Sequence, residues 1–505
     1  MKHESMRNAM SSGRTRFTTI LVAVACGTGI ANAQPPSGGG GAQLPPPVFD
    51  PALVFSVNVG FPYGLASADI LDANGNPGQD GYPEIAVAGM GLNWFDEFRW
   101  CDDPPDDGRL IKIYHNKGAT VAWDGANPYD ALDETQTIFI ESVASGMWAT
   151  ELAFGDVTGD GNTDLVLVGM DPDNLNGVYG RLLVFENLGN GEFGTSPIVN
   201  IETSIPLRGL VVQDMDLDGD IDAIAAAAKI SADWDCTQGS QDVVVKFQNL
   251  LFETDEFSLV QLPAADYTGT APGDIASGDF YADAPGTPLM DFATPNPSAS
   301  FIIGIANLGS MSIAPYSIDP PGGCVWFYST LTAARFGADN DWDFAAVDGN
   351  DLFADIFTGD GNGGFVSTCG SGPYQLYPTG TPFLYAHGIE SGSIDNGPYP
   401  DLVVALGIQK KGFEPVPDWY GAVAVLLGKS NGTFQTDSSQ KAYIFLADNI
   451  NNPNQPLATG SINVLVVDLD ADGFDDIVVA NHLVGSEGDT ISVLINSLEV
   501  SGSNP

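Results

Sequence analysis

Basic residues are the scarcest chemistry in this chain. Its 505 residues hold 17 Lys+Arg against 65 Asp+Glu, a formal net charge of −48. Nucleic-acid backbones and anionic membrane surfaces are held by Lys and Arg, so this balance excludes both as natural partners. It favours cations and neutral or basic ligands. Histidine is rarer still, with four residues. His115, His387 and His482 each stand alone beside a strand-like run, where a structural role is the commoner one. The five cysteines form no C-x-x-C pair and no Cys/His cluster, which excludes the usual zinc spacings. No apolar run approaches the ~20 residues that span a bilayer. The sequence also lacks a G-x-S-x-G elbow, an H-E-x-x-H helix, a P-loop and a dinucleotide fingerprint.

What is present is apolar and turn-rich. Hydrophobic residues make up 44% of the chain, beside 60 Gly and 34 Pro, enough for a large core and too much for a disordered acidic protein. The first 33 residues read as an export signal. Lys2, Arg7, Arg14 and Arg16 form a basic start, Phe17 to Ala25 a short apolar run, and Ala31-Asn32-Ala33 a small-residue cleavage site before Gln34. A lipobox-like reading of Ala23 to Cys26 is the minor alternative, and would anchor the chain by lipid. Secretion, periplasmic retention or surface display is the expected location. Residues 34–49 are a Pro/Gly-rich linker, 50–498 the folded body and 499–505 a tail.

Within the body one pattern recurs. An apolar lead-in enters an aspartate-rich turn, followed by an apolar run, a variable loop and a second apolar run ending near Asn or Gly. Copies start at 69, 156, 214, 279, 339, 393 and 468, roughly sixty residues apart, the mark of a repeat fold. The runs are short, rich in Val, Ile and Phe, and bounded by Gly, Asn, Asp and Pro, which are strand signals. Outer strands are expected at TIFIESV, IVNIET, FSLVQL and KAYIFLA. In the fourth copy FAT and CVWFY are read as inner strands, so that Cys324 precedes a third strand. Four strands in each of seven copies predict an all-β, seven-bladed propeller of four-stranded antiparallel blades. The last copy has no room for its outer strand, so VFSVNVG (54–60) is expected to close the last blade from the N-terminal side.

The turns carry the chemistry. D-x-D-x-D-G-x-x-D sets oxygen ligands at positions 1, 3, 5 and 9, a backbone carbonyl at 7 and a turn-forming Gly at 6, which suits calcium's six to eight hard oxygens. Without a cation, each carboxylate pair at ~4 Å and an effective dielectric of ~20 repels by about 4 kcal/mol before relaxation. Three turns match well. They are Asp156, Thr158, Asp160, Asn162 and Asp164; Asp214, Asp216, Asp218, Asp220 and Asp222; and Asp468, Asp470, Asp472, Phe474 and Asp476. A weaker, insertion-bearing site is expected from Asp69, Asp72, Asp80 and Glu84. The sixth turn has Ser393 and Gly397 where carboxylates belong, and no tight site is expected there. Position 12 is Leu167, Ala225 or Val479 rather than Glu, which excludes EF-hands.

These loops, with the LVLVG, AIAAA and IVVAN runs after them, resemble FG-GAP/VCBS repeat proteins, including the propeller of integrin α chains. The resemblance spans roughly residues 50–498. It implies Ca2+ in the loop between strands one and two of a blade, and a binding or adhesion role for a monomeric extracellular protein. A protein or glycan ligand is expected on the opposite, long-loop face, at Trp94, Trp100, Trp148, Trp234 and Trp419. Tyr316, Phe413 and Tyr420 are placed there too. A polysaccharide lyase is the alternative, with Arg99, Lys410 and Lys411 as its few candidate bases. Export leaves Cys101, Cys236, Cys324 and Cys369, for which three pairings exist; Cys101–Cys236 and Cys324–Cys369 are both open.

Overall fold

The computed structural model describes residues 46–498 apart from short internal stretches, the longest being 90–108, 228–241, 409–419 and 448–459. It contains seven antiparallel sheets, six of them built in chain order from the inside outward. Blade 1 is Pro62–Ala68, Glu84–Gly89, Leu110–Asn116 and Leu132–Phe139; blade 2 is Trp148–Gly155, Asp164–Met170, Gly180–Phe185 and Val199–Thr203. Blade 3 begins at Leu207–Gln213 and continues through Asp222–Ala227 and Asp242–Asn249 to Leu259–Gln261. Blade 4 runs from Ala276–Gly278 through Asp291–Asn296 and Phe301–Asn307 to Ile313–Ile318. Blade 5 is Tyr328–Ala334, Asp343–Asp348, Phe353–Gly359 and Phe365–Ser367. Blade 6 is Leu384–Gly392, Asp401–Ile408, Tyr420–Gly428 and Phe434–Gln435, with Tyr443–Leu446 also pairing its third strand.

Blade 7 joins the two ends of the chain. Ser461–Val467, Asp476–Asn481 and Thr490–Leu494 are followed outward by the N-terminal strand Leu53–Ser56, with Leu53 opposite Val493 and Ser56 opposite Thr490. The expected closing strand is therefore present. It removes the free edge that Thr490–Leu494 would otherwise offer to other chains.

The second strands explain the stability of the stack. Glu84–Gly89, Asp164–Met170, Asp291–Asn296, Asp343–Asp348 and Asp476–Asn481 are buried at every residue, because each is covered on both faces by neighbouring blades. Such strands read as continuous apolar runs rather than alternating ones. Seven apolar clusters fill the spaces between blades. In one of them Phe344 stacks on Phe357 at 4.5 Å, while Phe280 and Phe365 meet it edge-on or tilted.

One blade departs from the sequence reading. The third strand of blade 4 is Phe301–Asn307, not CVWFY, and Tyr328 opens blade 5 instead. FIIGIAN follows its partner after four residues, as the third strand of blade 5 also does, where the other five blades place eight or more. Tyr316 consequently lies in the outer strand of blade 4 rather than in a loop.

Candidate functional site

The aspartate turns connect the first and second strands of their blades, as the repeat pattern predicts. They share one hydrogen-bond scheme. The first carboxylate accepts the amide of position 6: Asp156 from Gly161 (2.9 Å), Asp214 from Gly219 (3.1 Å) and Asp468 from Gly473 (2.9 Å). The fifth accepts the amide of position 7: Asp160 from Asn162, Asp218 from Asp220 and Asp472 from Phe474. The position-6 glycines have φ of +89°, +106° and +92°, a region that L side chains rarely adopt. Leu217 and Ala471, at position 4, also have positive φ, at +62° and +58°, which costs about 1–2 kcal/mol each.

In blade 3 this scheme leaves a converging set of oxygens. One oxygen each of Asp214, Asp216 and Asp218 accepts from Gly219, from the Gln248 side chain (3.1 Å) and from Asp220. The other oxygen of each is shut from solvent with no hydrogen-bond partner. The three carboxylates bring one oxygen apiece within 4.8 Å of the others. At that separation each charged pair repels by about 3 kcal/mol before solvent screening, for an effective dielectric of ~20. Burial, with Asp218 and Asp214 beside it, raises the pKa of Asp216. Asp468, Asp470 and Asp476 of blade 7 form a second such group. In blade 2, Asp156 Oδ1 is likewise buried without a partner.

Blade 1 keeps the scheme despite its insertion. Asp69 accepts the amides of Asp80 (3.1 Å) and Gly81 (2.8 Å), and Asp80 accepts that of Tyr82, so these two stand at positions 1 and 5. Asp80 Oδ2 and Glu84 Oε1 are buried without a hydrogen-bond partner, the latter 3.9 Å from His115 Nε2. Asp72 is turned to another use. It is exposed and caps the insertion by accepting the amides of Asn74 and Asn76, both at 2.9 Å. Its carboxyl is held below the usual range by those bonds, that of Asn76 foremost.

The ninth residue has a role that sequence reasoning missed. It is acidic in all seven blades: Glu84, Asp164, Asp222, Asp291, Asp343, Asp401 and Asp476, each with no exposed surface. In the six aspartate blades one oxygen accepts an amide near position 2 of the loop and the other an amide at the end of the third strand, whereas Glu84 takes the Ile70 and Leu71 amides on one oxygen. Asp222 takes Met215 (3.1 Å) and Asn249 (2.8 Å), Asp291 takes Tyr281 and Asn307, and Asp476 takes Leu469 (2.8 Å) and Asn496 (2.7 Å). Asp343 and Asp401 do the same with Phe336 and Gly359, and with Ile394 and Gly428. This carboxylate staples the turn to its own blade. Burial raises Asp222 and Asp401 to about 7 and Asp343 to about 6.

Blades 5 and 6 keep the staple and lose the position-1 carboxylate. Arg335 stands at position 1 of the blade 5 turn, its guanidinium 5.3 Å from the Trp342 ring. In blade 6, Pro398 occupies position 6, where its fixed φ forbids the left-handed turn and it has no amide to offer. Ser393, at position 1, has no carboxylate to receive one. Asp395 keeps position 3 there, one oxygen accepting the Gly397 amide and the other buried without a hydrogen-bond partner.

A second interaction ties four of the turns to the following blade. An asparagine at or just past the end of the third strand in blades 1, 3, 4 and 7 donates its side-chain amide to the position-2 carbonyl of the preceding blade's turn, whereas Asn187 of blade 2 donates to Thr163 of its own turn. Asn249 reaches Val157 (2.7 Å), Asn307 reaches Met215 (2.7 Å), Asn496 reaches Ile394 (2.6 Å) and Asn116 of blade 1 reaches Leu469 of blade 7 (2.8 Å). Blades 5 and 6 hold Gly359 and Gly428 here, where a Cβ would come within 2.2 Å of the Trp342 and Pro400 carbonyl oxygens. In blade 5 the turn amide of Gly363 donates to Phe280 instead, at 2.9 Å.

Three further carboxylates sit on the innermost strands or leading into them: Glu151, Asp274 and Glu390. Burial raises all three, Glu390 to about 8. Asp274 is committed to structure, accepting from the Thr330 hydroxyl (2.5 Å) and the Leu331 amide (3.2 Å) of blade 5 and from the adjacent Ile275 amide (2.8 Å). Their sequence signal was an isolated acid inside an apolar strand, as in WATELAFG.

Of the aromatic residues expected to meet a ligand, Trp148 does not lie in a loop. It opens the first strand of blade 2 and is 3% exposed within the core between blades 7, 1 and 2. The run of small and apolar residues after it continues the strand and draws the ring inward. Trp94, Trp100, Trp234 and Trp419 lie outside the described residues, as do Arg99, Lys410, Lys411, Phe413, Cys101, Cys236 and Cys324.

The FG-GAP-like repeat profile matches residues 156–225, which hold two of the three well-formed turns. A comparison with curated proteins returns no match. Among solved structures, Sqt1 of Saccharomyces cerevisiae is 10% identical with a TM-score of 0.48, over 90% of this chain and 100% of that one. BBS1N, solved in complex with ARL6DN, is 10% identical at 0.42, over 89% and 97%. The Dos1 propeller is 8% identical at 0.42, over 88% and 94%. The chain folds as a seven-bladed β-propeller and carries an FG-GAP-like repeat at residues 156–225.

Proposed function

We propose that the chain is an exported binding module whose propeller is stabilised by calcium in the turns of blades 2, 3 and 7, with a weaker site in blade 1. One observation carries the reading: the partnerless, solvent-shut oxygens of Asp214, Asp216 and Asp218, on carboxylates whose second oxygens are fixed by loop amides or, for Asp216, by the Gln248 side chain of the third strand. Three hard oxygens held this way suit calcium, which accepts flexible coordination by carboxylates and backbone carbonyls at about 2.3–2.6 Å. Asp216 and Asp470, at position 3, are ligands with no strand-stapling duty. Asp222 and Asp476 serve both purposes.

The N-terminal signal pattern supports export, and the even set of four cysteines that export leaves suits an oxidising compartment. Extracellular calcium would keep such turns filled. The ligand is a protein or glycan carried by the long second-to-third-strand loops, since long loops on a rigid scaffold are where recognition concentrates. The test is a calcium-loaded screen of the full chain against immobilised glycans and cell-surface proteins, repeated after chelation. Saturable binding to one class supports the reading; no binding in either state refutes the module role. N-terminal sequencing of the exported protein is expected to begin at Gln34.

A further inference from the structure

Chain crosses every junction between blades, but at the junction of blade 7 with blade 1 the crossing residues, 57–61, leave from the N-terminal strand Leu53–Ser56, so no chain joins Ser461–Val467, Asp476–Asn481 and Thr490–Leu494 of blade 7 to blade 1. Closure there rests on non-covalent contacts. Four residue pairs join the N-terminal strand to Thr490–Leu494. Asn463 donates its side-chain amide to the Tyr63 carbonyl at 2.9 Å. The third contact passes through the blade 7 turn.

Leu469 is position 2 of that turn, between Asp468 and Asp470. Its side chain has no exposed surface and packs in the same cluster as Val57, Val59, Leu132 and Val493. Its carbonyl receives the Asn116 side chain of blade 1 at 2.8 Å, and its amide donates to Asp476 at 2.8 Å. One residue, flanked by two carboxylates that converge within 4.8 Å together with Asp476, thus contributes both an apolar plug and a hydrogen-bond acceptor to the seam.

We infer that the blade 7 turn is a cation-dependent latch on ring closure: filling it fixes Leu469 and holds blade 1, and emptying it loosens the seam where the ring is not covalently continuous. The inference rests on calcium occupying this turn. Repulsion between Asp468 and Asp470 acts on the residue between them, so a displaced turn moves Leu469 first. The turns of blades 2 and 3 latch their neighbours through Val157 and Met215 in the same way, but those junctions also have the chain to hold them.

Hydrogen exchange of the full-length protein, with calcium or with chelator, tests this. On chelation, amides of 53–59 and 110–116 are expected to exchange about five- to tenfold faster, as for the loss of a hydrogen bond and its packing from a local opening. Amides of Phe353–Gly359 in blade 5 should change little. Asp470→Asn should reproduce the seam effect in calcium and lower the calcium stoichiometry by one. Asn116→Ala should accelerate the same amides while leaving the stoichiometry intact. If calcium binds and Asp470→Asn removes one site, yet the seam amides do not respond, the latch is refuted and the calcium reading stands. If calcium does not bind this turn, both fall.

Discussion

Replacing Asn307 by alanine isolates the tie between neighbouring blades from the metal chemistry. Asn307 is 2% exposed and ends the third strand of blade 4. Its side chain donates to Met215 at 2.7 Å and Met290 at 3.2 Å, and accepts the Gly309 amide at 3.1 Å. Asn307→Ala removes three hydrogen bonds and strands buried carbonyls. At about 1 kcal/mol net for each bond, the loss is about 3 kcal/mol. An unfolding entropy of ~2.1 cal/mol/K per residue over ~450 residues converts this to a fall in Tm of about 3 °C. Thermal unfolding by circular dichroism in saturating calcium reads it, with Asn190→Ala as the exposed control. The Asn190 bonds lie on the surface, and that substitution should cost under ~0.5 kcal/mol. A fall of less than about 1 °C for Asn307→Ala would refute the view that these asparagines join the blades.

Other outcomes follow from the same geometry. Removing residues 34–56 should leave Thr490–Leu494 as an open edge, and the truncated chain should self-associate in size-exclusion chromatography where the full chain does not. In chelator, stability should fall as pH rises from about 4 through about 7, because burial raises the folded-state pKa of Asp222 and Asp401 to about 7; the fold holds those protons to higher pH than the unfolded chain does. Urea midpoints across that window check the sign, and Asp401→Asn should flatten the slope. Asp216→Asn should stabilise the calcium-free protein slightly by relieving repulsion, while abolishing one site in a calcium titration.

Blade number, strand order and the closing strand were legible because they follow from local chemistry. Short β-branched runs and Gly-rich turns mark strands wherever they occur, and a missing outer strand at one end matches a spare one at the other. The converging turn carboxylates were legible for the same reason, since positions 1, 3 and 5 lie within a few residues of each other. The ninth acid was read only as a ligand because its staple partners, such as Asn249 for Asp222, come from a strand far along the chain. Trp148 was assigned to a loop because nothing local distinguishes a tryptophan that covers a blade top from one drawn into the core. In blade 4, CVWFY has the composition of a third strand, and only the pairing of Phe301–Asn307 with Asp291–Asn296 decides against it.

The measurement that tests the account most directly is isothermal titration of chelator-stripped protein with calcium, beside the triple variant Asp160→Asn, Asp216→Asn and Asp470→Asn. The account predicts at least three sites in the natural chain, all three lost in the variant, and a calcium-dependent rise in Tm of the natural chain alone. Saturation at 100 times Kd adds about 2.7 kcal/mol for each independent site. No binding heat in the natural chain, or equal heat in both proteins, would contradict it.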